Sequence, residues 1–354
     1  MGNMVKETES FFKAIGLEIN REKSATNDSQ CENTATLLDG TGVYKYLGII
    51  EDHSSNIMRE SFEKVRRELL ARVNRLCESN LNSKNLFKAN NEHAIFLVNY
   101  HIRLQNLEPA DFLKLDQKIR QTLIKHKVHL KPGCKKRLYL PRTEMGRGLH
   151  SVEMKSEYML LQLLDTLKKY INISSRRAAI LKVEEQNKTH LSLIYEYLKS
   201  KYSLRDVSAK CLLNAQRKLL YDEINKKKFH EKLYRARSNE LVSLKDSSTW
   251  MEYGNIDSRA EGIHCYIQDR NVFWRDDALQ CQHCGKAKKS IDHLATGCDR
   301  MLGHDYTRRH NKVLRCIHFL LANKYGFKKS IKLRSYSVQK VMEMKEPKFG
   351  SIQG

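Results

Sequence analysis

Proline is scarce, at 4 of 354 residues, about a fifth of its usual share of roughly 5%. Glycine is also sparse, at 16. With so few residues that interrupt helices, the chain is expected to be mainly α. Long apolar runs are missing: a stretch such as Ile317–Ala322, with His318 inside it, falls far short of the roughly 20 residues of a membrane-crossing helix. No membrane partner is expected. Acids are in deficit, 41 Asp and Glu against 64 Lys and Arg, for a formal charge of +23. That excess attracts polyanions at long range and points to RNA or DNA as the partner. At 354 residues the chain exceeds one small module, so more than one domain is expected.

No apolar signal-peptide core follows the start. Met1-Gly2-Asn3 opens like a myristoylation motif but has Lys6 where Ser or Thr is needed. The expected location is intracellular and, given the charge, nuclear. Of the nine cysteines, Cys31, Cys77, Cys134, Cys211, Cys265 and Cys316 are scattered singly, which argues against disulfide staples.

Apolar spacing predicts the elements. Glu9 to Ile15 reads as a helix end stopped by Gly16, Leu17 to Asn20 as a short strand, and Val43 to Ile50 as a second strand that pairs with it. From Met58 to Lys127 three helices are expected, with Val65, Leu69, Val73 and Leu76 on the first, Leu86 to Tyr100 carrying the second, and Phe112, Leu115, Ile119 and Leu123 on the third. Leu138 to Arg142 reads as extended. Further helices are expected at 152–170, 176–202 and 207–236, then a polar linker at 239–262 and a helix near 311–324.

The remaining three cysteines form Cys281-x2-Cys284-x8-His293-x4-Cys298. Three thiolates and an imidazole are a tetrahedral zinc set, and four protein ligands close the shell, so a structural Zn2+ is expected rather than a catalytic one. The plain alternative is ordinary thiols beside an unrelated histidine; the spacing favours metal. Without zinc, residues 279–300 should melt. His283, Asp292 and His304 are spare donors. Lys226, Lys227, Lys228, Lys232, Arg235 and Arg237 crowd one helical segment, and Arg308, Arg309 and His310 follow the cluster; both groups are candidate phosphate contacts.

Phe11-Phe12-Lys13-Ala14-Ile15-Gly16-Leu17-Glu18-Ile19-Asn20-Arg21-Glu22-Lys23-Ser24, followed by Tyr46-Leu47-Gly48-Ile49, resembles the end of a reverse transcriptase palm with its primer-grip hairpin. Leu86 to Tyr100, and Arg137-Leu138-Tyr139-Leu140-Pro141-Arg142 with Gly146-Arg147-Gly148-Leu149, resemble the thumb and post-thumb signature of non-LTR retrotransposons. The Cys-Cys-His-Cys cluster, between Ile267-Gln268-Asp269 and Tyr306-Thr307-Arg308-Arg309-His310-Asn311, resembles the zinc knuckle of Dong-like elements that carry a restriction-like endonuclease.

The resemblance implies a palm remnant at 1–57, a thumb-like helical domain at 58–150, a basic helical connector at 151–262, a zinc-knuckle nucleic-acid-binding domain at 263–330 and a basic tail at 331–354. It implies that Lys23 assists departure of pyrophosphate and that the Tyr46 hairpin holds the primer end. The family's aromatic-x-Asp-Asp motif would precede Phe11 and is not in this sequence; Trp274-Arg275-Asp276-Asp277 imitates it beside the knuckle. Of an endonuclease set, only Glu343-Met344-Lys345 is found. No catalytic residue is therefore assigned, and Lys23, Tyr46, Arg142 and Arg147 join Lys226, Lys227, Lys228, Arg308, Arg309 and His310 as expected nucleic-acid contacts. A reading from another class is a domesticated zinc-binding scaffold that recruits proteins.

Overall fold

The computed structural model describes residues 2–20, 24–26, 35–37, 42–46, 49–52, 59–104, 107–169, 175–235, 237, 239–240, 242–273, 279–302 and 307–326. The chain divides into two compact units, Met1–Asp269 and Arg270–Gly354. The fold is mainly α with two small sheets.

Helix α1 (Gly2–Ala14) ends at Gly16, whose φ of +77° suits a residue without Cβ. Residues 17–20 are not a strand. The strand expected to pair with them pairs with itself instead: β3 (Val43–Tyr46) and β4 (Ile49–Asp52) run antiparallel, with Tyr46 opposite Ile49. A second sheet joins β1 (Ala25–Thr26) and β2 (Thr36–Leu37) in parallel.

The core of the first unit is built by α2 (Arg59–Glu78), α3 (Ser83–Ala89), α4 (Val98–Leu104), α5 (Pro109–Lys125), α6 (Val152–Lys169) and the helices that follow. On α5 the predicted seam, Phe112, Leu115, Ile119 and Leu123, is the buried one. On α2 the seam is Phe62, Leu69, Val73 and Cys77, because Phe62 meets Phe112 edge-on at 6.4 Å and sets the rotation of the helix. Between α3 and α4 the helix widens into a π turn at Asn90–Ala94 and tightens into a 3₁₀ turn at Ile95–Leu97.

Two long helices expected from periodicity are broken. Residues 176–202 form α7 (Ser175–Gln186) and α8 (Ile194–Tyr202), with Lys188 left-handed between them in a polar run of weak helix formers. Residues 207–236 form α9 (Ala209–Asn225) and α10 (Glu231–Arg235), separated where Lys226, Lys227 and Lys228 follow one another. Leu138–Arg142 is not extended; 3₁₀ turns occupy Lys136–Leu138 and Arg142–Glu144.

The largest departure is the expected linker. Residues 239–262 fold as α11 (Leu244–Glu252) and the first part of α12 (Ser258–Gln268). Ser243 caps α11 by accepting the Asp246 N–H, and Asp257 caps α12 by accepting the N–H groups of Arg259 and Ala260. Their buried positions hold Ser248, Ser258, Glu261 and Gly262 beside only Met251 and Cys265, too few apolar residues for hydrophobic periodicity to register them.

Inside this unit Asp116 caps α6: its carboxylate accepts the Ser151 hydroxyl at 2.6 Å, the Val152 N–H at 2.9 Å and the Glu153 N–H at 3.2 Å. Burial pushes the Asp116 carboxyl up to about 6, with these three donors opposing the rise. A carboxyl raised above its unfolded value near 3.9 favours the folded state while protonated; that contribution is complete below about pH 4 and is lost as pH climbs through about 6. We expect the stability of the wild type relative to Asp116→Asn to fall by up to about 3 kcal/mol between pH 4 and pH 7, measured by urea unfolding. Parallel pH profiles for the two proteins would contradict this.

Candidate metal centre and basic surfaces

In the second unit, residues 279–289 form a tight hairpin. Gln280 and Lys288 pair as an antiparallel bridge, the Lys289 N–H donates to the Leu279 carbonyl at 2.9 Å, and the Cys281 N–H donates to the Ala287 carbonyl at 2.7 Å. The chain turns at Gly285, at φ +66°, and the Gly285 N–H donates back to the Cys281 carbonyl at 2.8 Å. This reversal brings Cys281 and Cys284 to one side and leaves amides aimed at their sulfurs.

Local desolvation raises the Cys281 thiol, but the N–H groups of Cys284 and His283 together with the neighbouring Cys298 and Cys284 thiols hold it below its ordinary value. The N–H groups of Lys286 and, less strongly, Ala287 hold the Cys284 thiol down as well. Thiolates are the form that ligates a metal, and amides donating to them stabilise that form.

The other two ligand residues come from the segment that returns. The Ser290 hydroxyl accepts the His293 N–H at 3.0 Å, at the start of a π turn over His293–Gly297. Arg270 donates through Nε to both oxygens of Asp292, at 3.0 and 3.1 Å, tethering the residue next to His293. Cys298 is extended and begins α13 (Asp299–Met301). Desolvation raises its thiol, with N–H groups of Met301 and Arg300 working the other way.

Cys281, Cys284, His293 and Cys298 therefore converge, their four ligand atoms all within 4.8 Å of one another. The Cys281 and Cys298 sulfurs are 3.7 Å apart, and the Cys284 sulfur lies 3.3 Å from His293 Nε2. In a tetrahedral site with metal–sulfur bonds of about 2.3 Å, two sulfurs stand about 3.8 Å apart, and a sulfur and a nitrogen about 3.5 Å. The residues fit a metal ion. At 3.7 Å the sulfur pair is no disulfide, which needs about 2.05 Å.

The scattered cysteines behave differently. Cys77, Cys134 and Cys265 are buried, and burial pushes the Cys77 thiol up to about 11 and that of Cys134 to about 12. They are poor ligands and poor nucleophiles. Cys31 lies outside the described residues.

Two expected nucleic-acid contacts are corrected. Arg147 is 1% exposed: its Nε donates to Glu261 Oε1 at 2.9 Å, and its other nitrogens reach the carbonyls of Val128 and Ser258 and the Ser83 hydroxyl. Arg142 donates to the Met251 and Arg147 carbonyls and to both oxygens of Glu261. Arg137 is likewise buried against Asp269 at 3.0 Å. These guanidiniums are turned inward by Glu261 of α12 and by Asp269 at its end, and their donors are engaged there rather than by a phosphate.

The other basic residues sit outward. Lys226, Lys227 and Lys228 are exposed at the end of α9, Lys226 paired with Glu223 at 2.8 Å. Arg308, Arg309 and His310 are exposed in the first turn of α14 (Thr307–Lys324), with Arg309 donating to the Ala295 carbonyl at 3.1 Å. Tyr46 ends β3. Lys23, Trp274 to Asp277, His304 and residues 327–354 lie outside the described residues.

Sequence reasoning missed Glu261, which faces two arginines and the Ser83 hydroxyl at 2.6 Å. Its signal was Glu261, Cys265 and Asp269 at four-residue spacing, one helix face, downstream of arginines spaced by five. No helix among the described residues is long and apolar enough to cross a membrane. No protein-family model matches the chain, and no curated protein matches it.

Proposed function

We propose that this chain is a nucleic-acid-binding piece of a non-LTR retrotransposon reverse transcriptase of the Dong-like type, made of palm end, thumb and zinc knuckle, and that it acts in the nucleus without catalysis of its own. The observation that carries this reading is a Cys3His cluster of tetrahedral dimensions and, nine residues after Cys298, the start of a helix with five Lys or Arg and no acid, Thr307–Lys324. Zn2+ is the ion this donor set suits best, since sulfur and imidazole together select it over magnesium or calcium. When bound, it supplies cross-linking rather than chemistry. Cys281, Cys284, His293 and Cys298 hold it; the hairpin amides orient the sulfurs, and Arg308, Arg309 and His310 are carried beside the knuckle toward phosphates.

The test is oligonucleotide binding by fluorescence anisotropy as salt is varied. Each neutralised phosphate contributes a log–log slope of about 0.7 for single strands. The pair Arg308→Glu and Arg309→Glu should lower the slope by about 1.4 and weaken binding severalfold at moderate salt, with an unchanged unfolding midpoint. Unchanged affinity would remove this patch from the reading.

A scaffold role is favoured by a single feature. α14 turns Val313, Leu314, Ile317, Leu320 and Leu321 outward, each at least 47% exposed, and a stripe of this size suits a protein partner. Binding that is indifferent to salt and blocked by polar substitution of this stripe would favour the scaffold.

A further inference from the structure

The helical run from Ser83 to Leu104 carries two large aromatic side chains that the core does not use. Phe96 is 61% exposed and Tyr100 43%. They stand four residues apart across the passage from the 3₁₀ turn into α4, both on the side away from the buried Ile95, Val98 and Ile102. Their neighbours Ile95, Val98 and Ile102 are fully or almost fully buried, which fixes the backbone beneath the rings. Tyr100 is braced edge-on by His101, centroids 5.6 Å apart.

Basic residues precede and follow the rings along the same helical run. Lys84 and Lys88 are exposed one turn apart on α3, and His93 and Arg103 are exposed nearer the rings. The one acid in the stretch, Glu92, is 3.9 Å from Lys88. The π turn at Asn90–Ala94 lies between the lysines and Phe96; the wider turn rotates the residues after it relative to those before, and such turns recur at functional sites.

We infer that Phe96 and Tyr100 form a stacking platform for the bases of a single-stranded nucleic acid, with Lys84, Lys88 and Arg103 along its phosphates. This rests on the nucleic-acid reading above and adds a second site, in the first unit, for unpaired strand. Flat rings open to solvent receive a base face, which a duplex keeps inside its own stack, whereas cations alone would not distinguish the two. A buried apolar partner is disfavoured by four exposed cationic or imidazole side chains on the same run as the two rings, and an acidic protein would leave the ring faces without a specific role.

The test compares a 12-mer of adenines, as RNA and as DNA, with an abasic strand of the same length and with a duplex, by anisotropy on the full chain. The wild type should bind the base-bearing single strands at least tenfold more tightly than the abasic one, since one base–aromatic stack changes affinity by about 5- to 150-fold. The arm bound more tightly identifies the strand. Phe96→Leu with Tyr100→Leu keeps apolar bulk without rings; it should erase the preference and leave the salt slope and the unfolding midpoint as they are. Tyr100→Phe should retain it. Equal binding of base-bearing and abasic strands, or a leucine variant that still discriminates, overturns the platform while the nucleic-acid reading stands. Absence of strand binding in dilute salt overturns both. A leucine variant that alters sedimentation but not strand affinity makes the rings a protein contact and overturns the platform.

Discussion

Glu261→Gln is expected to destabilise the first unit by about 3–5 kcal/mol, the cost of leaving buried charge without its counter-ion. Glu261 is 1% exposed and faces Arg147, also 1% exposed, and Arg142. Burial raises the Glu261 carboxyl, but the two guanidiniums overcome it and hold it below the usual carboxylate range. Glutamine keeps the shape and can still meet the Ser83 hydroxyl, so the loss isolates charge. In a unit of this size the midpoint should drop by about 10 °C. The exposed Glu68, paired with Arg72 at 2.8 Å and Arg75 at 3.2 Å on the same helix, is the control: Glu68→Gln should leave the midpoint where it is. Equal, small shifts in both variants would mean that Glu261 does not lock α12 onto the segment that carries Arg142 and Arg147. Because the Glu261 carboxyl is depressed on folding, its stabilisation is present at neutral pH and is lost as the solution is acidified through its folded value.

The second large effect concerns the segment that carries the Cys3His cluster. Among residues 279–302 the only buried side chains are Cys281 and Cys298, so the segment has no apolar core apart from its own ligands. Small modules of this kind take their folding energy from the metal, about 10–16 kcal/mol of binding in zinc-finger peptides. Chelation, or Cys298→Ser, should abolish amide protection across 279–302 and remove about one equivalent of zinc, while the unfolding of residues 59–269 is unchanged. Hydrogen exchange with elemental analysis reads both. Retained protection after complete chelation would show that the hairpin folds without an ion and that the cysteines are ordinary thiols.

What the sequence disclosed follows from which interactions leave a periodic trace. The α5 seam repeats every three or four residues, and Phe112, Leu115, Ile119 and Leu123 are buried as that repeat requires. The Cys3His cluster was legible because donor chemistry and short spacing suffice to suggest it, and the four residues do converge into a group that could hold a metal ion. Long-range polar pairing leaves no such trace. Arg142 and Arg147 look like surface cations until Glu261, 119 and 114 residues onward, is brought against them. The helices α11 and α12 were hidden for a related reason, since serine, glycine and glutamate fill most of their inner faces and leave only Met251 and Cys265 as apolar markers. The hairpin of β3 and β4 shows a third cause: strand propensity names the residues that extend but not the partner, and Val43 to Asp52 found its partner within itself.

Zinc K-edge X-ray absorption on the purified chain tests the metal centre most directly. A stoichiometric zinc is expected, its shell holding three sulfurs at about 2.3 Å and one nitrogen at about 2.0 Å, with no water. A protein free of zinc, or a shell in which oxygen replaces sulfur, would contradict this.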